Sequence, residues 1–508
     1  MNPVSPSPTG WSLRRLLQQA GVEPLASVTS DCGVSLLTDD SRKAGPGCCF
    51  VAVRGTSADG HHFLDAACRA GAAAIVVERE TPVPAGACAI RVPDTRTALS
   101  KLAAAYHGLR GDGVRPMLLV AITGTNGKTT VAWLLRSILR AAGHRTALLG
   151  TVEYDLAGER LPSPLTTPGA LELCGHLATA REHGATHAVM EVSSHALDQR
   201  RVDGLTFMAA VFTNLSGDHL DYHKSPEAYF AAKRRLFEML APASAAVINA
   251  DDPHVEKLRR STRARVVDYG IDSRAADWSA AIERMDRTGT HVRLSFTHRS
   301  GALHTAMIGR HNVQNLLAAA ATADVMGVAW DAIREGLETC AGAPGRLQRA
   351  EPPGWPFSVF VDYAHTDDAL RNVLTAVRPI TTGRVICVFG CGGDRDRTKR
   401  PRMAAVAEEL ADVVFVTSDN PRTERPEAIV EEIVAGFQRD GRCRVEVEVD
   451  RRRAIRAAID EAGEGDTVLI AGKGHENYQI VGRETLPFDD VEEARKCMKL
   501  VPQTVEAA

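Results

Sequence analysis

The octapeptide TGTNGKTT, residues 123–130, indicates the fold of this chain more directly than any other part. It follows an apolar run at 117–122 (MLLVAI) and precedes a segment at 131–139 (VAWLLRSIL) with apolar residues at helical spacing. When a strand, a glycine-rich turn and a helix follow in this order, backbone N–H groups can bind phosphate, a lysine can supply positive charge and a hydroxyl can bind Mg²⁺. The sequence therefore predicts a nucleotide phosphate loop in which Lys128 supplies the positive charge and the Thr129 hydroxyl binds Mg²⁺.

One position of this loop departs from the general pattern. Ile122 stands where a phosphate loop usually has its first glycine, so the loop begins at Gly124 and is a shortened variant. The alternative interpretation is an ordinary glycine turn with a capping threonine. Because that alternative leaves the order Gly-Lys-Thr-Thr unexplained, phosphate binding is favoured.

Length and composition are those of a globular enzyme with several domains. A chain of 508 residues is too long for one core, and roughly two to four domains are expected. The net charge of −3 and the aromatic content of 5% do not fit a nucleic-acid-binding protein, which usually has a basic excess or a basic face. We recognise no signal peptide, and no apolar run approaches the roughly 18 residues that a membrane span needs.

The cysteines indicate neither a disulfide framework nor a zinc site. There are 11 of them, an odd number, without a CxxC pair or zinc-ligand spacing. Cys48 and Cys49 are adjacent and could form a disulfide only with strain. We therefore expect reduced thiols and a cytoplasmic location.

Changes in composition divide the chain into three predicted domains, at residues 1–113, 114–343 and 344–508. The first is a small α/β unit that ends in a glycine-rich linker. In the other two, apolar strands alternate with helical patterns, which predicts doubly wound parallel sheets. Residues 281–308 alternate between polar and apolar and predict an antiparallel insert. Parallel sheets of this kind bind ligands at the carboxyl ends of their strands.

Polar residues stand at such strand ends in the second domain. Glu191 directly ends the apolar strand at 187–191, and Asp218 and His219 follow the strand at 209–213. A position at a strand end of a nucleotide-binding domain favours a ligand contact over a purely structural role for Glu191 and His219.

For three other positions the residues alone favour an ordinary structural role. Lys233 lies in an amphipathic helical segment at 227–240, where a lysine is usually solvated. Asn312 could cap an alanine-rich helix or contact a base edge, and capping is the simpler alternative. Ser41, in the sequence Asp-Ser-Arg, is interpreted as a turn or helix cap.

The strand ends of the third domain carry glycines and charged residues, which indicate a second ligand-binding face. Arginines can bind carboxylates through two hydrogen bonds, and Glu476 would suit an ammonium group. The segment GCGGDRD lacks the spacing of a dinucleotide site. The residues alone thus predict an ATP-using enzyme whose substrates carry carboxylates, one of them also an amine. We expect six residues to form a cationic face: Arg395, Arg397, Lys399, Arg400, Arg422 and Lys473.

Ten segments occur in the order found in the Mur ligase family, which the chain resembles over nearly its whole length: TGTNGKTT, EVSSHALDQRR, TNLSGDHLDYH, AAKRRLF, GRHNVQN, PGRLQR, DYAHT, GCGGDRDRTKRP, DNPRTE and GKGHENYQ. The resemblance implies three α/β domains: a small N-terminal domain, a central P-loop ATPase domain with a parallel sheet, and a C-terminal Rossmann-like domain. It implies ATP-dependent addition of meso-diaminopimelate to the D-glutamate γ-carboxylate of UDP-N-acetylmuramoyl-L-alanyl-D-glutamate, through an acyl phosphate, in peptidoglycan synthesis. The segment DNPR is the one that diaminopimelate-adding members carry.

The resemblance also implies roles for individual residues. ATP contacts are implied for Gly124, Thr125, Asn126, Gly127, Lys128, Thr129, Thr130, Asn312, Arg346 and Asp362. Two Mg²⁺ ions are implied, and their implied ligands are Thr129, Glu191, His219 and Lys233. For this role Lys233 is implied to be carbamylated by CO₂ to N6-carboxylysine. The implied catalytic residues are Lys128, Glu191, His219 and Lys233. The UDP-linked substrate is implied to contact the turn at 55–60 and Ser41, Thr166, Thr167, Ser193, Gln199 and Arg201. The implied diaminopimelate site consists of Arg395, Asp419, Asn420, Arg422, Gly472 and Glu476.

Three alternatives remain open at this point. A folylpolyglutamate-synthase-like ligase shares the shortened loop and the domain plan, but it is not expected to carry the N-terminal uridine domain or DNPR. An L-lysine-adding relative differs at DNPR. A nucleotide-gated binding protein that hydrolyses ATP without ligation would not need the carboxylate-binding arginines. We expect a monomer whose partners are the three substrates, with no nucleic acid partner and no membrane span.

One residue departs from the family pattern. Relatives usually have proline after DYAHT, and this chain has Asp367. Because we expect this position to lie in a loop, the predicted consequence is a change of loop stiffness only.

Overall fold

The computed structural model describes residues 10–26, 28, 30–55, 58–83, 86–111, 117–217, 220–273, 275–296, 299–438, 441 and 443–499, apart from the side chains of residues 220 and 221. Several features predicted from the sequence lie outside the described residues. They are most of the glycine-rich linker, at 112–116, two residues of the 55–60 turn (Thr56 and Ser57), and Asp218 and His219.

The chain folds into two compact units, which we describe separately. Unit 1 comprises Met1–Asp268 and Ala320–Ile333, and unit 2 comprises Tyr269–Ala319 and Arg334–Ala508. The predicted boundaries at 113 and 343 remain predictions. Among the described residues, no helix is both long enough and apolar enough to cross a membrane.

The first part of unit 1 is a small α/β assembly. Strands β3, β4, β5 and β6 form a parallel sheet in that order, and β1 pairs with β2 in antiparallel orientation. The elements are β1 Trp11–Ser12, α1 Leu13–Ala20, β2 Gly33–Val34, β3 Leu36–Thr38, β4 Cys48–Val51, α2 Leu64–Arg69, β5 Ala74–Val77, β6 Cys88–Arg91 and α3 Thr95–Tyr106, with 3₁₀ turns at Ser41–Lys43 and Gly60–Phe63.

All 11 cysteines of the chain are free thiols. Cys48 and Cys49 follow each other in β4, and successive side chains of a strand point to opposite faces of its sheet. The two residues accordingly belong to two different hydrophobic clusters. Their adjacency in the sequence therefore does not bring the two sulfur atoms together.

The second part of unit 1 is a sheet that carries the phosphate loop. Its strand order is β10-β9-β8-β11-β7-β12-β13-β14, and β8, β11, β7, β12 and β13 run parallel. Because β7 lies between β11 and β12, the carboxyl ends of both neighbours flank the loop that follows β7. The elements are β7 Leu118–Thr123, α4 Lys128–Ala141, β8 Thr146–Leu149, β9 Glu153–Asp155, β10 Arg160–Pro162, α5 Ala170–Glu182, β11 His187–Glu191, α6 Ser194–Asp198, β12 Ala209–Phe212, α7 Leu220–His223, α8 Pro226–Glu238, β13 Ala245–Asn249, α9 Val255–Arg259 and β14 Arg265–Gly270.

The two parts of unit 1 share one hydrophobic core. Leu102 of α3 and Leu177 of α5 belong to the same cluster of buried side chains. Gly204 approaches α3 so closely that a Cβ atom there would lie 2.1 Å from the carbonyl oxygen of Ser100. The hydroxyl of Ser100 donates to the carbonyl oxygen of Arg201 at 3.0 Å. This packing fixes the segment that carries Arg201 against the N-terminal part.

Unit 2 contains an antiparallel meander and a second parallel sheet. Strands β15, β16 and β17 form the meander and confirm the predicted antiparallel insert. The sheet order is β18-β19-β23-β20-β21-β22, with only β18 antiparallel, and β24 and β25 form a hairpin. The elements after residue 270 are β15 Trp278–Asp286, β16 Gly289–Phe296, β17 Arg299–Thr305, α10 Arg310–Val325, α11 Trp330–Thr339, β18 Gln348–Arg349, β19 Ser358–Asp362, α12 Asp367–Val377, β20 Val385–Phe389, α13 Lys399–Leu410, β21 Val413–Val416, α14 Pro426–Val434, β22 Arg444–Val447, α15 Arg451–Glu461, β23 Thr467–Ala471, β24 Tyr478–Val481, β25 Glu484–Pro487 and α16 Asp490–Cys497, with a 3₁₀ turn at Arg378–Ile380.

The expectation that Asp367 lies in a loop is wrong, because it is the first residue of α12. Thr366 caps this helix by accepting a hydrogen bond from the backbone N–H of Ala369. Proline and acidic residues are both favourable in the first turn of a helix. The N–H groups of this turn have no partner within the helix, so proline loses no hydrogen bond there, and a carboxylate complements the helix dipole. The departure from the family pattern thus replaces one favourable first-turn residue with another.

Candidate active site

The phosphate loop is held closely against the end of strand β12. Gly124 has a φ of 151°, and a Cβ atom there would lie 1.9 Å from Oγ1 of Thr213. Gly127, with a φ of 86°, is the N-cap of α4, and Thr129 and Thr130 are buried in the first turn of that helix. The start of a 14-residue helix therefore lies at the end of the loop, and a helix N-terminus favours an anion.

Asn214 fixes the middle of the loop with its backbone and its side chain. Its carbonyl oxygen accepts a hydrogen bond from the N–H of Thr125 at 2.9 Å. Its Oδ1 accepts from the N–H of Asn126 at 2.9 Å, and its Nδ2 donates to the carbonyl oxygen of Asn126 at 3.1 Å. The sequence predicts that N–H groups of the turn bind phosphate. Two of them bond to Asn214 instead, and phosphate binding by the rest of the loop stays a prediction.

Two lysines meet at the carbonyl oxygen of Gly124. Lys128 Nζ donates to this oxygen at 2.9 Å, and Lys233 Nζ donates to it at 2.8 Å. Lys233 is 1% exposed, and its ammonium group lies 4.5 Å from the ring centroid of Tyr229. The interpretation of Lys233 as a solvated helix residue is therefore wrong. The pair makes the loop strongly positive where a nucleotide phosphate is expected.

Glu191 lies at the end of β11, beside the start of α4. Its Oε2 accepts hydrogen bonds from the hydroxyls of Thr129 and Thr151, both at 3.0 Å, and its Oε1 accepts from the N–H of Thr151 at 2.8 Å. The Thr151 hydroxyl also lies 3.0 Å from that of Thr166. A Cβ atom at Gly150 would lie 2.3 Å from Oε1 of Glu191. The lack of a side chain at Gly150 thus leaves the space that the carboxylate occupies.

These groups fit a Mg²⁺ site next to a nucleotide. Mg²⁺ prefers oxygen ligands, and the Glu191 carboxylate and the Thr129 hydroxyl lie 3.0 Å apart at the phosphate loop. Within the part of the chain that the structure describes, no group of three or more His, Cys, Asp or Glu residues is arranged to hold a metal ion. His219, another predicted ligand, lies outside the described residues.

Replacing Gly150 with alanine is expected to raise the Mg²⁺ concentration for half-maximal ATP-dependent activity by about tenfold or more. The new methyl group would take the space of the Glu191 carboxylate and displace it from Thr129. Gly169→Ala is the matched control, because a Cβ atom there meets no other atom within 4 Å. Magnesium titrations measure the effect, and an unchanged requirement in a folded Gly150→Ala variant would contradict it.

A hydrogen-bonded group of side chains continues from Glu191 to Arg201. The Thr167 hydroxyl donates to the carbonyl oxygen of Glu191 at 2.9 Å and accepts from the N–H of Ser193 at 3.0 Å. Arg201 donates through Nη1 to the carbonyl oxygen of Thr167 at 2.5 Å and through Nη2 to Oε1 of Gln199 at 2.8 Å. The structure thus brings together five of the residues implied for the UDP-linked substrate: Thr166, Thr167, Ser193, Gln199 and Arg201.

Ser41 begins a 3₁₀ turn in the N-terminal part. Asp40, the residue before it, caps this turn by accepting a hydrogen bond from the N–H of Arg42 at 3.0 Å. Asp40 also accepts from the Arg42 guanidinium at 2.9 and 2.8 Å. The interpretation of Ser41 as the cap is therefore wrong, and its role at a uridine site stays a prediction.

Asp362 and Arg346 lie together in unit 2. Asp362 ends β19, and its two carboxylate oxygens accept hydrogen bonds from the N–H groups of Leu347 at 2.7 Å and Ala364 at 2.8 Å. Burial raises the pKa of Asp362, and the nearby Arg346 guanidinium opposes that rise. The guanidinium also lies 4.9 Å from the ring centroid of Tyr363. The ATP contacts implied for both residues stay predictions.

Asn312 lies buried in the first turn of α10. Its Nδ2 donates to the carbonyl oxygen of Ile308 at 2.8 Å, and its Oδ1 accepts from Nδ2 of Asn315 at 3.0 Å. An N-cap side chain accepts from a backbone N–H of the first turn, whereas this one donates to a carbonyl before the helix. The capping interpretation is therefore wrong, and adenine contact stays a prediction.

A compact charged cluster lies at the strand ends of the C-terminal sheet. Asn420 Nδ2 donates to Oε2 of Glu476 at 2.7 Å. Lys473 Nζ donates to Oδ1 of Asn420 at 3.1 Å and to Oε2 of Glu476 at 3.3 Å, and it lies 3.5 Å from Oδ1 of Asp419. Gly472 has a φ of 118°, and a Cβ atom there would approach Oδ2 of Asp419 to 3.2 Å. Four residues implied for the diaminopimelate site thus meet around one lysine.

Arg422 has a φ of 51°, a left-handed conformation that is uncommon for residues with a side chain. The hairpin of β24 and β25 holds its backbone: the N–H of Arg422 donates to the carbonyl oxygen of Ile480 at 3.1 Å, and its carbonyl oxygen accepts from the N–H of Gly482 at 2.8 Å. Its Nη1 donates to the carbonyl oxygen of Gly393 at 2.9 Å. The backbone conformation therefore fixes the direction of this side chain, whereas Arg395 is exposed.

The predicted cationic face is wrong for two of its six members, which are buried. Arg400 donates to the carboxylates of Glu424 at 2.9 Å and Glu432 at 2.8 Å. Lys473 is buried in the cluster described above. Buried charges need partners, and these two cations have acidic partners within the domain instead of facing a ligand directly. Arg397 is exposed and pairs with Glu432.

Three residues of these sites were not predicted: Gly150, Thr151 and, as the centre of a buried cluster, Lys473. Each follows the end of an apolar strand by no more than two residues. The rule that ligands bind at the carboxyl ends of parallel strands would have selected all three. Their contacts with Glu191 and Asn420 join residues far apart in the sequence, which spacing alone does not reveal.

Three protein-family models match the chain: the Mur ligase family catalytic domain at residues 34–107, the Mur ligase middle domain at 122–323 and the Mur ligase glutamate ligase domain at 345–474. The UDP-N-acetylmuramoyl-L-alanyl-D-glutamate–2,6-diaminopimelate ligase of Geobacter metallireducens is 44% identical over 503 residues, covering 93% of this chain and 97% of the relative. The ligase of the same name from Thermosynechococcus vestitus is 44% identical over 492 residues, covering 96% and 98%. A solved structure of an enzyme with this name is 35% identical, with a TM-score of 0.72 and coverage of 97% of this chain and 99% of that one.

These comparisons confirm the predicted fold class of three α/β domains with parallel sheets. Identity of this level over nearly the full length of both chains does not arise from a shared fold alone. The chain therefore belongs to the Mur ligase family.

Proposed function

We propose that this chain is an ATP-dependent ligase that joins meso-diaminopimelate to the D-glutamate γ-carboxylate of UDP-N-acetylmuramoyl-L-alanyl-D-glutamate, the reaction classified as EC 6.3.2.13. Relatives with the name of this ligase cover nearly the whole chain at 44% identity. The observation that carries the acceptor assignment is the charged cluster of Asp419, Asn420, Lys473 and Glu476 together with the neighbouring Arg422, whose Nη1 lies 3.5 Å from the carbonyl oxygen of Asn420. It offers carboxylates for an ammonium group and a guanidinium for a carboxylate.

The proposed reaction proceeds in two steps. The γ-phosphoryl group of ATP is transferred to the γ-carboxylate, which gives an acyl phosphate and ADP. The amine of the acceptor then attacks the acyl carbon, a C–N bond forms, the nitrogen loses a proton, and the tetrahedral intermediate releases phosphate. Both steps need positioning and charge neutralisation. We assign these tasks at the phosphates to Lys128 and to the N–H groups at the start of α4.

The residues at the loop also support binding of two Mg²⁺ ions. We propose that Thr129, Glu191, His219 and a carbamate formed from CO₂ on Lys233 hold them. When bound, Mg²⁺ would neutralise phosphate charge. The hydrogen bonds of Glu191 to Thr129 and Thr151 orient its carboxylate before any metal binds.

We propose that the three ligands divide among the predicted domains, with the chain acting as a monomer in the cytoplasm. Residues 1–113 would bind the uridine part of the first substrate, 114–343 would bind ATP and 344–508 would bind the amino acid. The five grouped residues from Thr166 to Arg201 would contact the muramoyl-dipeptide part. These five residues share a hydrogen-bond network with Glu191, which supports this assignment. The network places the residues implied to bind the glutamate-bearing substrate next to an implied metal ligand.

One assay tests the proposed function. The protein is incubated with ATP, Mg²⁺, the UDP-linked muramoyl dipeptide and meso-diaminopimelate, and the tripeptide product is identified by mass. We expect product with diaminopimelate and little or none with L-lysine. Product from L-lysine alone would refute the acceptor assignment, and ligation of glutamate to a folate would support the alternative ligase. ATP hydrolysis without any ligated product would refute ligase activity.

A further inference from the structure

Lys473 is fully buried, although it follows a strand end that faces the implied acceptor site. A buried ammonium group is costly unless charged or polar partners compensate for its lost hydration. Its partners are Asn420, Glu476 and Asp419, and its ammonium also lies 5.6 Å from the ring centroid of Tyr478. Because its side chain has no exposed surface, Lys473 acts on a ligand only through these neighbours.

The contacts determine the orientation of the Asn420 amide. Lys473 Nζ, at 3.1 Å, and the N–H of Ile480, at 2.9 Å, can only donate, so the amide atom that faces them must be the oxygen Oδ1. The other amide atom, Nδ2, therefore faces Glu476 and donates to it at 2.7 Å. Lys473 thus helps to fix the Asn420 amide. It also helps to fix Oε2 of Glu476, which accepts hydrogen bonds from Lys473 and from Asn420.

The charges of the cluster have a consequence for recognition. Asp419 and Glu476 bring two carboxyl groups, and Lys473 brings one ammonium group, so the ionised cluster carries one net negative charge. We propose that Lys473 is a positioning residue of the acceptor pocket, which holds Asn420 and Glu476 in place and leaves one net negative charge for the non-reacting ammonium group of the amino acid. This inference rests on the proposed function and adds Lys473, which contacts no ligand itself, to the residues that shape this site.

Other titratable and charged groups also act on Glu476. Burial raises the pKa of Glu476; the Lys473 ammonium opposes this rise, and Asp419 adds to it. Removing the lysine therefore removes the cation that bonds directly to this carboxylate and favours its ionised form. Three charged or titratable groups on other parts of the chain also interact with Glu476: Tyr363, Arg451 and Tyr478.

The test compares Lys473→Met and Lys473→Gln with the wild type. Without the lysine, we expect the KM for diaminopimelate to rise about tenfold or more while the KM for ATP stays within about twofold. Arg384→Met is the matched control, since Arg384 pairs with Asp466 at 2.8 Å and Glu461 at 2.9 Å at the amino end of β20. This control is expected to lower the Tm without changing either KM.

A pH profile separates this role from a purely structural one. In Lys473→Met the KM for diaminopimelate is expected to rise more steeply than in the wild type as the pH falls, because Glu476 then takes up a proton more readily and no longer attracts an ammonium group. In the wild type the KM is expected to depend less on pH. A structural role alone would alter both profiles equally or neither.

A measurement on the unaltered enzyme keeps the inference testable if no variant folds. 2-Aminopimelate lacks one ammonium group, and its KM with the wild type should exceed that of diaminopimelate by at least about tenfold. Equal KM values for the two acceptors would overturn the inference. So would a folded Lys473→Met variant with a wild-type KM, or one in which the KM values for ATP and diaminopimelate rise together. A wild type that forms no ligated product would instead refute the proposed function.

Discussion

Replacing Lys233 with alanine is expected to lower kcat by at least roughly a hundredfold, and added short-chain carboxylic acids are expected to restore part of the activity. The ammonium groups of Lys233 and Lys128 both donate to the carbonyl oxygen of Gly124, at 2.8 and 2.9 Å. Reaction of the neutral Lys233 amine with CO₂ gives a carbamate and a proton, and so exchanges a cation for an anion. This exchange removes the repulsion from Lys128 and supplies oxygen ligands for Mg²⁺ beside Thr129.

Two variants separate the carbamate from the bulk of the side chain. Lys233→Glu places a carboxylate on a shorter chain and is expected to retain more activity than Lys233→Ala. Lys257→Ala is the control, because the Lys257 ammonium also lies near an aromatic ring, 5.8 Å from the centroid of Phe230, but this lysine is exposed. We expect this control to keep wild-type kcat. Intact mass with and without CO₂, and ¹³C NMR after ¹³CO₂ labelling, detect the modification directly.

Near-wild-type kcat of Lys233→Ala would contradict the carbamate role. The same conclusion would follow if the wild type remained fully active after exhaustive removal of CO₂. If both Lys233→Ala and Lys233→Glu were inactive and no carboxylic acid restored activity, the lysine would be needed as a cation, which would support a direct contact with phosphate instead.

The parts of the fold that depend on local sequence were predicted well. Each of the strands at His187–Glu191, Ala245–Asn249, Ser358–Asp362 and Thr467–Ala471 extends its apolar run by at most one polar residue at either end. Apolar runs covered on both faces are typical of buried parallel strands. The helix after the phosphate loop and the antiparallel insert also follow from periodicity alone.

The parts that depend on contacts between distant segments were not predictable in the same way. A lysine in a helix is usually solvated, and only the approach of α8 to Gly124 buries Lys233. The arginines after β20 predict a cationic face, but Arg400 is buried and pairs with Glu424 and Glu432. Sequence spacing identifies which residues stand at strand ends, but it does not identify their partners.

Replacing Arg422 with alanine is expected to raise the KM for diaminopimelate roughly 10- to 150-fold, with the KM for ATP within about twofold of the wild type. The loss of one charge-assisted contact to a carboxylate costs about 1.5–3 kcal/mol, which corresponds to that range. Arg422→Lys is not expected to restore the affinity, because a lysine lacks the planar pair of donors that binds both carboxylate oxygens. Arg425→Ala is the control, since Arg425 is exposed and pairs only loosely with Glu427, at 3.8 Å.

Because the backbone of Arg422 is left-handed, two substitutions at this position can separate an effect on the stability of the fold from an effect on diaminopimelate binding. Glycine adopts a φ of 51° without the steric cost of a Cβ atom, so Arg422→Gly is expected to be more stable than Arg422→Ala by about 1 kcal/mol. Both variants lack the guanidinium, and both should show the same increase in the KM for diaminopimelate. Thermal unfolding and acceptor titrations measure the two properties on the same samples. If the glycine variant recovered the KM, the effect of Arg422 would come from the backbone hydrogen bonds to Ile480 and Gly482, and its assignment as a carboxylate-binding residue would be wrong.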